Sequence, residues 1–124
     1  MSLAIIALGG AIGSVLRYLL GSFVQRMFNA GFPVGTFAVN VVGCLLAGIL
    51  TRYFLNTQTE LQIRTGLIVG FCGGFTTFST FSVETLGLMQ GGELLKAIGY
   101  VLLSVCTCVV ATAAGYSVAY QPHR

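Results

Sequence analysis

The chain has 124 residues, of which 56% are hydrophobic and 7% charged, with a formal net charge of +3. Because a soluble domain carries about 25% charged residues, this composition excludes a water-soluble fold and favours lipid. The 6 Lys and Arg residues never form a run, which excludes a nucleic-acid-binding surface. At about 20 apolar residues per spanning helix, the length allows four spans and leaves no room for an extramembrane catalytic domain.

Four apolar segments alternate with short polar connections, at residues 3–24, 34–55, 64–89 and 97–119. No basic region precedes the first segment, so we expect it to be retained as a span and not removed as a signal peptide. Because each connection is only a few residues long, neighbouring helices run antiparallel in a compact bundle. We therefore predict an all-α, single-domain membrane protein with four transmembrane helices.

The charges near the helix ends specify the orientation of this bundle only weakly. The side that carries both termini has three basic residues, Arg52, Arg64 and Arg124. The opposite side has two, Arg26 and Lys96. The positive-inside rule requires a clear excess on one side, and this excess is small. A chain that inserts in both orientations could assemble as an antiparallel, dual-topology homodimer, whereas a fixed topology set by Arg17 or by lipids is the alternative.

In the first segment, Gly9, Gly13 and Gly21 recur at helical spacing. Such spacing lets helix backbones approach closely in lipid, so we interpret these glycines as packing residues. Arg17 belongs to the same row and lies about 20 Å along the helix, towards one end of the span. It either extends to the lipid headgroups or places a fixed positive charge at an aqueous vestibule or a helix interface.

The second segment carries one amide side chain, Asn40, among apolar neighbours. An amide has two donors and two acceptor lone pairs, and leaving them bare in hydrocarbon costs several kcal/mol. Asn40 must therefore face either a neighbouring helix, as interhelical glue, or an aqueous path.

The most informative feature lies in the middle of the third segment, between Gly70 and Ser82. Paired glycines are followed there by hydroxyl residues interleaved with phenylalanines. Membrane helices are broken at the midplane only where the backbone is buried in protein or lines a cavity. We therefore predict a broken helix and a binding site, the alternative being a continuous helix whose hydroxyls bond to carbonyls one turn earlier.

Glu84 follows in the same segment and is the only carboxylate within a span. An ionisable group at membrane depth indicates a functional site, and pairing with hydroxyl groups would make it tolerable. A wet, structural position near a helix end is the alternative.

The fourth segment carries a row of polar or polarizable side chains at intervals of four residues: Tyr100, Ser104, Cys108, Thr112 and Tyr116. Because each interval advances a helix by about 400°, the row forms a slowly winding stripe that should face away from lipid. The stripe indicates either a transfer track for an anion that accepts hydrogen bonds or glue between helices.

These groups suit an anion better than a cation. The chain lacks the ring of carboxylates that indicates cation selectivity, and it offers hydroxyls, an amide, an arginine and phenylalanines. The rim of an aromatic ring is positive and can approach an anion. Phe78 and Phe81 are three residues apart, which places them on one side of a helix. The residues thus favour an anion pore without identifying the anion.

Three motifs resemble the CrcB or Fluc family of fluoride channels. They are GGAIGSVLRY at 9–18, Gly35 and Thr36 with Asn40, and GGFTTFSTFS at 73–82 with Glu84. The resemblance covers essentially the whole chain. It implies a channel that exports fluoride passively from the cytoplasm across a microbial inner membrane, built as an antiparallel dual-topology homodimer with two pores and a structural, non-transported sodium ion.

The resemblance also implies roles for single residues. Backbone carbonyls of Gly73 and Thr76 from both subunits would hold the sodium ion. The fluoride pore would use an aromatic pair, the residues between them, the amide and the fourth-helix stripe: Phe78, Phe81, Ser79, Thr80, Asn40, Tyr100, Ser104, Cys108 and Thr112. Cys108 stands where relatives often have serine, and a thiol is the weaker hydrogen-bond donor. Arg17 and Glu84 match charged positions of the family's first and third helices.

Two other functions fit a small four-helix membrane protein. A dual-topology, proton-coupled multidrug exporter would need a carboxylate in the first helix and usually a tryptophan, but the first span has no acid and the chain has no Trp. A scaffold or rotor subunit would use Glu84 as a proton carrier. That function leaves the interrupted third segment and the fourth-segment stripe unexplained.

Overall fold

The computed structural model describes residues 2–29, 31–55 and 57–120. Arg124, one of the basic residues counted for topology, lies outside the described residues. The elements in chain order are α1 (Ser2–Phe28), α2 (Val34–Leu55), α3 (Leu61–Thr65), a π-helical stretch (Gly66–Cys72), α4 (Gly73–Phe75), α5 (Phe78–Gln90) and α6 (Leu94–Val118). All regular structure in these ranges is helical.

Four stretches of the chain are long and apolar enough to cross a membrane: Leu3–Phe28, Val34–Leu55, Leu61–Gln90 and Leu94–Val118. The prediction of an all-α protein with four membrane-length helices is therefore confirmed. The second span has the predicted bounds, and the other three begin or end a few residues away from theirs.

The end of α1 explains one of these differences. The Nε2 of Gln25 donates a hydrogen bond to the Phe32 carbonyl (3.1 Å), and its Oε1 accepts one from the Gly35 N–H (3.0 Å). A polar residue that suggested the end of the span thus lies within the helix, which continues to Phe28. Its side chain fastens the following turn to the start of α2.

The small residues of α1 pack against backbone, as their spacing predicts. A Cβ added to Gly9 would collide with the carbonyl oxygen of Gly66, and one added to Gly13 with the carbonyl oxygen of Phe71. Close approach of this kind is the usual means of helix association in lipid. Helix α1 therefore lies directly against the π-helical stretch of the third span.

Helices α2 and α6 are parallel neighbours in a constant register. A Cβ on Gly48 would collide with the carbonyl oxygen of Thr112, and the Nη1 of Arg52 donates to the hydroxyl of Tyr116 (3.1 Å), a separation of 64 residues in both cases. Residues one turn apart on α2 therefore face residues one turn apart on α6.

The interruption predicted in the third span is present. Helix α4 ends at Phe75, and Thr76 and Thr77 have extended backbone angles, with ψ of 154° and 115°. Helix α5 begins at Phe78. The π-helical stretch just before the break was not predicted, because it changes the hydrogen-bond step and not the hydrophobic pattern. Such stretches are frequent at functional sites.

Candidate functional site

The Asn40 side chain holds the extended segment in place. Its Oδ1 accepts a hydrogen bond from the Thr77 N–H (2.8 Å), and its Nδ2 donates to the Thr77 carbonyl (3.1 Å). The two bonds join one side chain of α2 to both polar groups of one peptide residue, as a neighbouring strand would. Asn40 therefore contacts a neighbouring span, and the contact is at the break.

The break diverts the N–H groups that would normally cap two carbonyls. In a continuous helix the Thr77 N–H would bond to Gly73 and the Thr80 N–H to Thr76. The Thr77 N–H instead bonds to Asn40, and the Thr80 N–H bonds to the Thr77 hydroxyl (3.2 Å), which caps α5. The carbonyl oxygens of Gly73 and Thr76 thus lose their usual helical donors.

Several hydroxyls near the break are satisfied by their own helices. The carbonyl four residues earlier accepts the hydroxyl proton of Thr76, Ser82 and Thr85, at 2.9, 3.0 and 2.7 Å respectively. Back-bonding of this type was the alternative to a broken helix. The structure contains both, since the break occupies only Thr76 and Thr77.

Arg17 reaches the break from α1. Its Nε donates to the carbonyl of Gly74 (3.1 Å), and its side chain is half-buried. Arg17 and Thr80 also line a cavity of about 160 Å³ between α1, α2 and the break. The arginine therefore contacts a helix interface and lines a small cavity.

Glu84 is paired with two hydroxyl groups. Its Oε1 accepts from Thr36 of α2 (2.6 Å), and its Oε2 accepts from Tyr100 of α6 (2.8 Å). The Tyr100 ring is fully buried and contacts Phe81 edge to face, with 5.0 Å between ring centroids. The carboxylate thus joins three spans and is held by the hydroxyl pairing that the sequence allowed.

A cavity of about 230 Å³ lies beside the break, and among the described residues no Asp, Glu, Lys or Arg contributes to its wall. Its lining residues are Asn40, Cys44, Thr76, Thr77, Phe78, Phe81, Ser104, Val105 and Cys108. The Ser104 hydroxyl is buried, and among the residues that the structure describes it has no hydrogen-bond partner. A buried polar atom without a protein partner is costly, and in proteins such atoms usually bond to an ordered water or a bound ion.

The two phenylalanines at the cavity are unequally covered. Their ring centroids are 5.5 Å apart, but Phe81 is 7% exposed and Phe78 is 78% exposed. Gly73, just before the break, is exposed as well, and a Cβ added to it would meet nothing within 4 Å. One face of the break is therefore uncovered in the single chain.

Three of the remaining predicted site residues lie elsewhere. The Thr112 hydroxyl donates to the carbonyl of Cys108 (3.0 Å) and is exposed, so it does not reach the cavity. Ser79 is exposed and lies 3.4 Å, oxygen to oxygen, from the Thr77 hydroxyl. The Tyr100 hydroxyl donates to Glu84, and Tyr100 is not among the residues that line the cavity.

The stripe on α6 faces a second stripe on α2 that sequence reasoning missed. In the register described above, the facing pairs are Thr36 and Tyr100, Asn40 and Ser104, Cys44 and Cys108, Gly48 and Thr112, and Arg52 and Tyr116. Glu84 bridges the first pair, the second and third pairs line the 230 Å³ cavity, and the last two pairs are in direct contact. A four-residue periodicity in α2 could have revealed it, but Gly48 and Cys44 do not stand out as polar.

Arg52 lies at one end of these two facing rows and contacts two aromatic rings. Its guanidinium carbon lies 5.0 Å from the ring centroid of Tyr116 and 4.5 Å from that of Tyr120. Both distances are within the range of a cation–π contact. From the sequence alone Arg52 counts only as a topology charge, because its aromatic partners are more than sixty residues away, Tyr116 on α6 and Tyr120 just beyond its end.

The chain is similar over nearly its full length to known proteins. The profile of the family described as "CrcB-like protein, Camphor Resistance (CrcB)" matches residues 4–116. A protein named "Fluoride-specific ion channel FluC" from Geotalea uraniireducens is 49% identical over 115 residues, covering 92% of this chain and 93% of that protein. Proteins of the same name from Geobacter sulfurreducens and Pseudomonas fluorescens are 49% identical over 117 residues (94% of each chain) and 43% identical over 113 residues (90% and 91%).

Proposed function

This chain belongs to the CrcB family, and we propose that it is a fluoride-selective channel, the function for which its relatives are named. It conducts fluoride passively out of the cytoplasm across the inner membrane of a microbial cell. The anion exchanges its water for neutral donors along the wall between α2, α5 and α6. No reaction of covalent chemistry is involved.

The buried, unpartnered hydroxyl of Ser104 carries this proposal. Ser104 lines the cavity together with Phe78 and Phe81, and none of the described lining residues carries a formal charge. A hydroxyl can donate to a small anion, and the rim of an aromatic ring is electropositive. Because none of the described lining residues is a cation, the anion would be bound weakly enough to leave again, as conduction requires.

A substitution at Ser104 tests the proposal. Ser104→Ala should lower fluoride efflux from proteoliposomes about tenfold or more, because a hydrogen bond to a charged group is worth about 1.5–3 kcal/mol. The same variant should not lower the thermal stability of the protein, since the hydroxyl has no partner to lose. The matched control is Ser117→Ala on the same helix, whose hydroxyl is exposed and bonded to Ala113. Equal efflux from both variants would contradict the proposal.

The assembly part of the proposal is an antiparallel, dual-topology homodimer with two pores. The weak charge bias of the helix ends allows insertion in both orientations. Phe78 is 78% exposed although it borders the cavity, and a second copy that covers this face would complete the wall. In a protein whose native cysteines are replaced, a cysteine introduced at Gly73 should cross-link two chains. A cysteine at Gly99, which also faces open space, should not.

Backbone carbonyls at the break fit a structural sodium ion. Carbonyl oxygens of unwound membrane helices bind alkali cations, and those of Gly73 and Thr76 have lost their helical donors. The space beside the Gly73 Cα is also open, since a Cβ there would meet nothing within 4 Å. We assign these two carbonyls, from both copies, to the sodium ion, which would hold the dimer together and would not be transported.

A further inference from the structure

Two cysteines contribute to the wall of the 230 Å³ cavity. Cys44 of α2 and Cys108 of α6 both line the 230 Å³ cavity, and both are free. The register in which Gly48 faces Thr112 and Arg52 reaches Tyr116 places the two cysteines opposite each other on α2 and α6. The other two cysteines do not take part in this wall, because Cys72 is buried outside it and Cys106 is exposed on α6.

The helix register keeps the pair together. One turn further along both helices, Gly48 faces Thr112 so closely that a Cβ on Gly48 would collide with the Thr112 carbonyl. A turn rises only about 5.4 Å, so the two helices have barely diverged at the level of Cys44 and Cys108. The sulfurs are therefore held by packed backbone and not by flexible loops.

The donor set defines which metal such a pair can bind. Zn²⁺ takes four ligands in structural sites, yet within residues 2–29, 31–55 and 57–120 no group of three or more His, Cys, Asp or Glu side chains could hold a metal. Soft sulfur ligands select Cu⁺, and Cu⁺ and Ag⁺ are content with two sulfurs in a line. We propose that Cys44 and Cys108 form a two-sulfur site for a soft monovalent cation, and that its occupation closes the cavity to anions.

The charge balance explains the closure. Two neutral thiols and one monovalent cation give a dithiolate complex with a net charge of −1 and release two protons. The bound metal occupies space beside Phe78 and Phe81, and the complex adds a negative charge to a wall that has none. Both effects oppose the passage of an anion. Closure rests on the proposed channel function, whereas metal binding does not.

Silver retention tests the site without any transport measurement. The full chain, purified in detergent with reduced thiols, is loaded with Ag⁺ and passed over a sizing column in excess glutathione, a single thiol that removes silver from lone cysteines. Because a preformed dithiol acts with a high effective concentration, the unaltered protein and the control Cys106→Ser should retain silver. Cys44→Ser and Cys108→Ser should each retain at least about tenfold less silver. Equal retention in all four proteins, or none in the unaltered one, would overturn the site.

Fluoride efflux then tests closure. Proteoliposomes are assayed in a nitrate medium, because silver chloride is insoluble and silver fluoride is soluble. Each variant is compared with its own rate before Ag⁺ is added. Ag⁺ should block the unaltered protein and Cys106→Ser, and should leave Cys44→Ser and Cys108→Ser at their own rates. Silver retention without a block of efflux would overturn closure alone. An absence of fluoride efflux before silver is added would count against the channel proposal, and silver retention would still decide whether the metal site exists.

Discussion

Asn40 and Thr77 exchange two hydrogen bonds, one to the N–H and one to the carbonyl of the same residue. The pair couples the second span to the extended segment that divides the third. By accepting from the Thr77 N–H, Asn40 also leaves the Gly73 carbonyl without its helical donor. One amide side chain thereby maintains the break, lines the cavity and exposes a carbonyl proposed to bind a cation.

Asn40→Asp should abolish most conduction. The carboxylate can still accept from the Thr77 N–H, but it cannot donate to the Thr77 carbonyl, and the two oxygens would repel each other. It also adds a negative charge to a cavity wall that has none. We expect a loss of stability of about 1–3 kcal/mol from the unsatisfied groups and a fall in fluoride efflux of at least about tenfold.

The same chemical change at Asn29 is the matched control. Asn29 is exposed in the turn after α1 and has a φ of 39°, a conformation that Asp also tolerates. Asn29→Asp should therefore conduct at the unaltered rate. Unimpaired efflux in Asn40→Asp would mean that Asn40 only joins helices and lies outside the anion path.

Gly43→Ala tests whether the break needs close approach of α2. A Cβ at this position would collide with the Thr76 Cγ2 and lie 3.0 Å from the Phe75 Cδ1. We expect lower thermal stability and reduced efflux, because the extended segment must shift. Overpacking of a well-packed contact costs about 1–3 kcal/mol.

Gly87→Ala provides the comparison, since a Cβ there meets nothing within 4 Å. In α5 it should stabilise the helix by up to about 1 kcal/mol. Thermal unfolding in detergent measures both variants. A Gly43→Ala protein as stable as Gly87→Ala would show that the backbone at Thr76 adapts freely.

The sequence was sufficient for the spans and for the position of the break, but not for the contacts that create it. Glycines followed by hydroxyl residues between Gly70 and Ser82 predicted an interruption, which the structure places at Thr76 and Thr77. The partner of Thr77 could not be predicted, because Asn40 is 37 residues away and the choice depends on packing. The register between α2 and α6 was likewise invisible, since it is set where Gly48 meets Thr112.

Phe78→Ala tests the aromatic rim in isolation from folding. The side chain is 78% exposed in the single chain, so its truncation should barely change the stability of the protomer, while fluoride efflux should fall about tenfold or more. Phe81 is a poorer choice, because it is 7% exposed and truncating a buried phenylalanine costs about 3–5 kcal/mol.

Phe28→Ala, which removes a 62% exposed ring at the end of α1, controls for the loss of an exposed aromatic side chain. Efflux and cross-linked dimer are measured on the same preparations. Unaltered efflux from a dimeric Phe78→Ala protein would remove the aromatic rim from the account of conduction.

Anion selectivity of the purified, unaltered protein distinguishes a fluoride channel from an unselective pore. Proteoliposomes are loaded with equal concentrations of fluoride and chloride, and both ions are followed with selective electrodes after a potassium ionophore is added to balance charge. The neutral-donor cavity of a fluoride channel predicts rapid fluoride efflux with chloride retained. Equal efflux of the two ions, or retention of both, would contradict it.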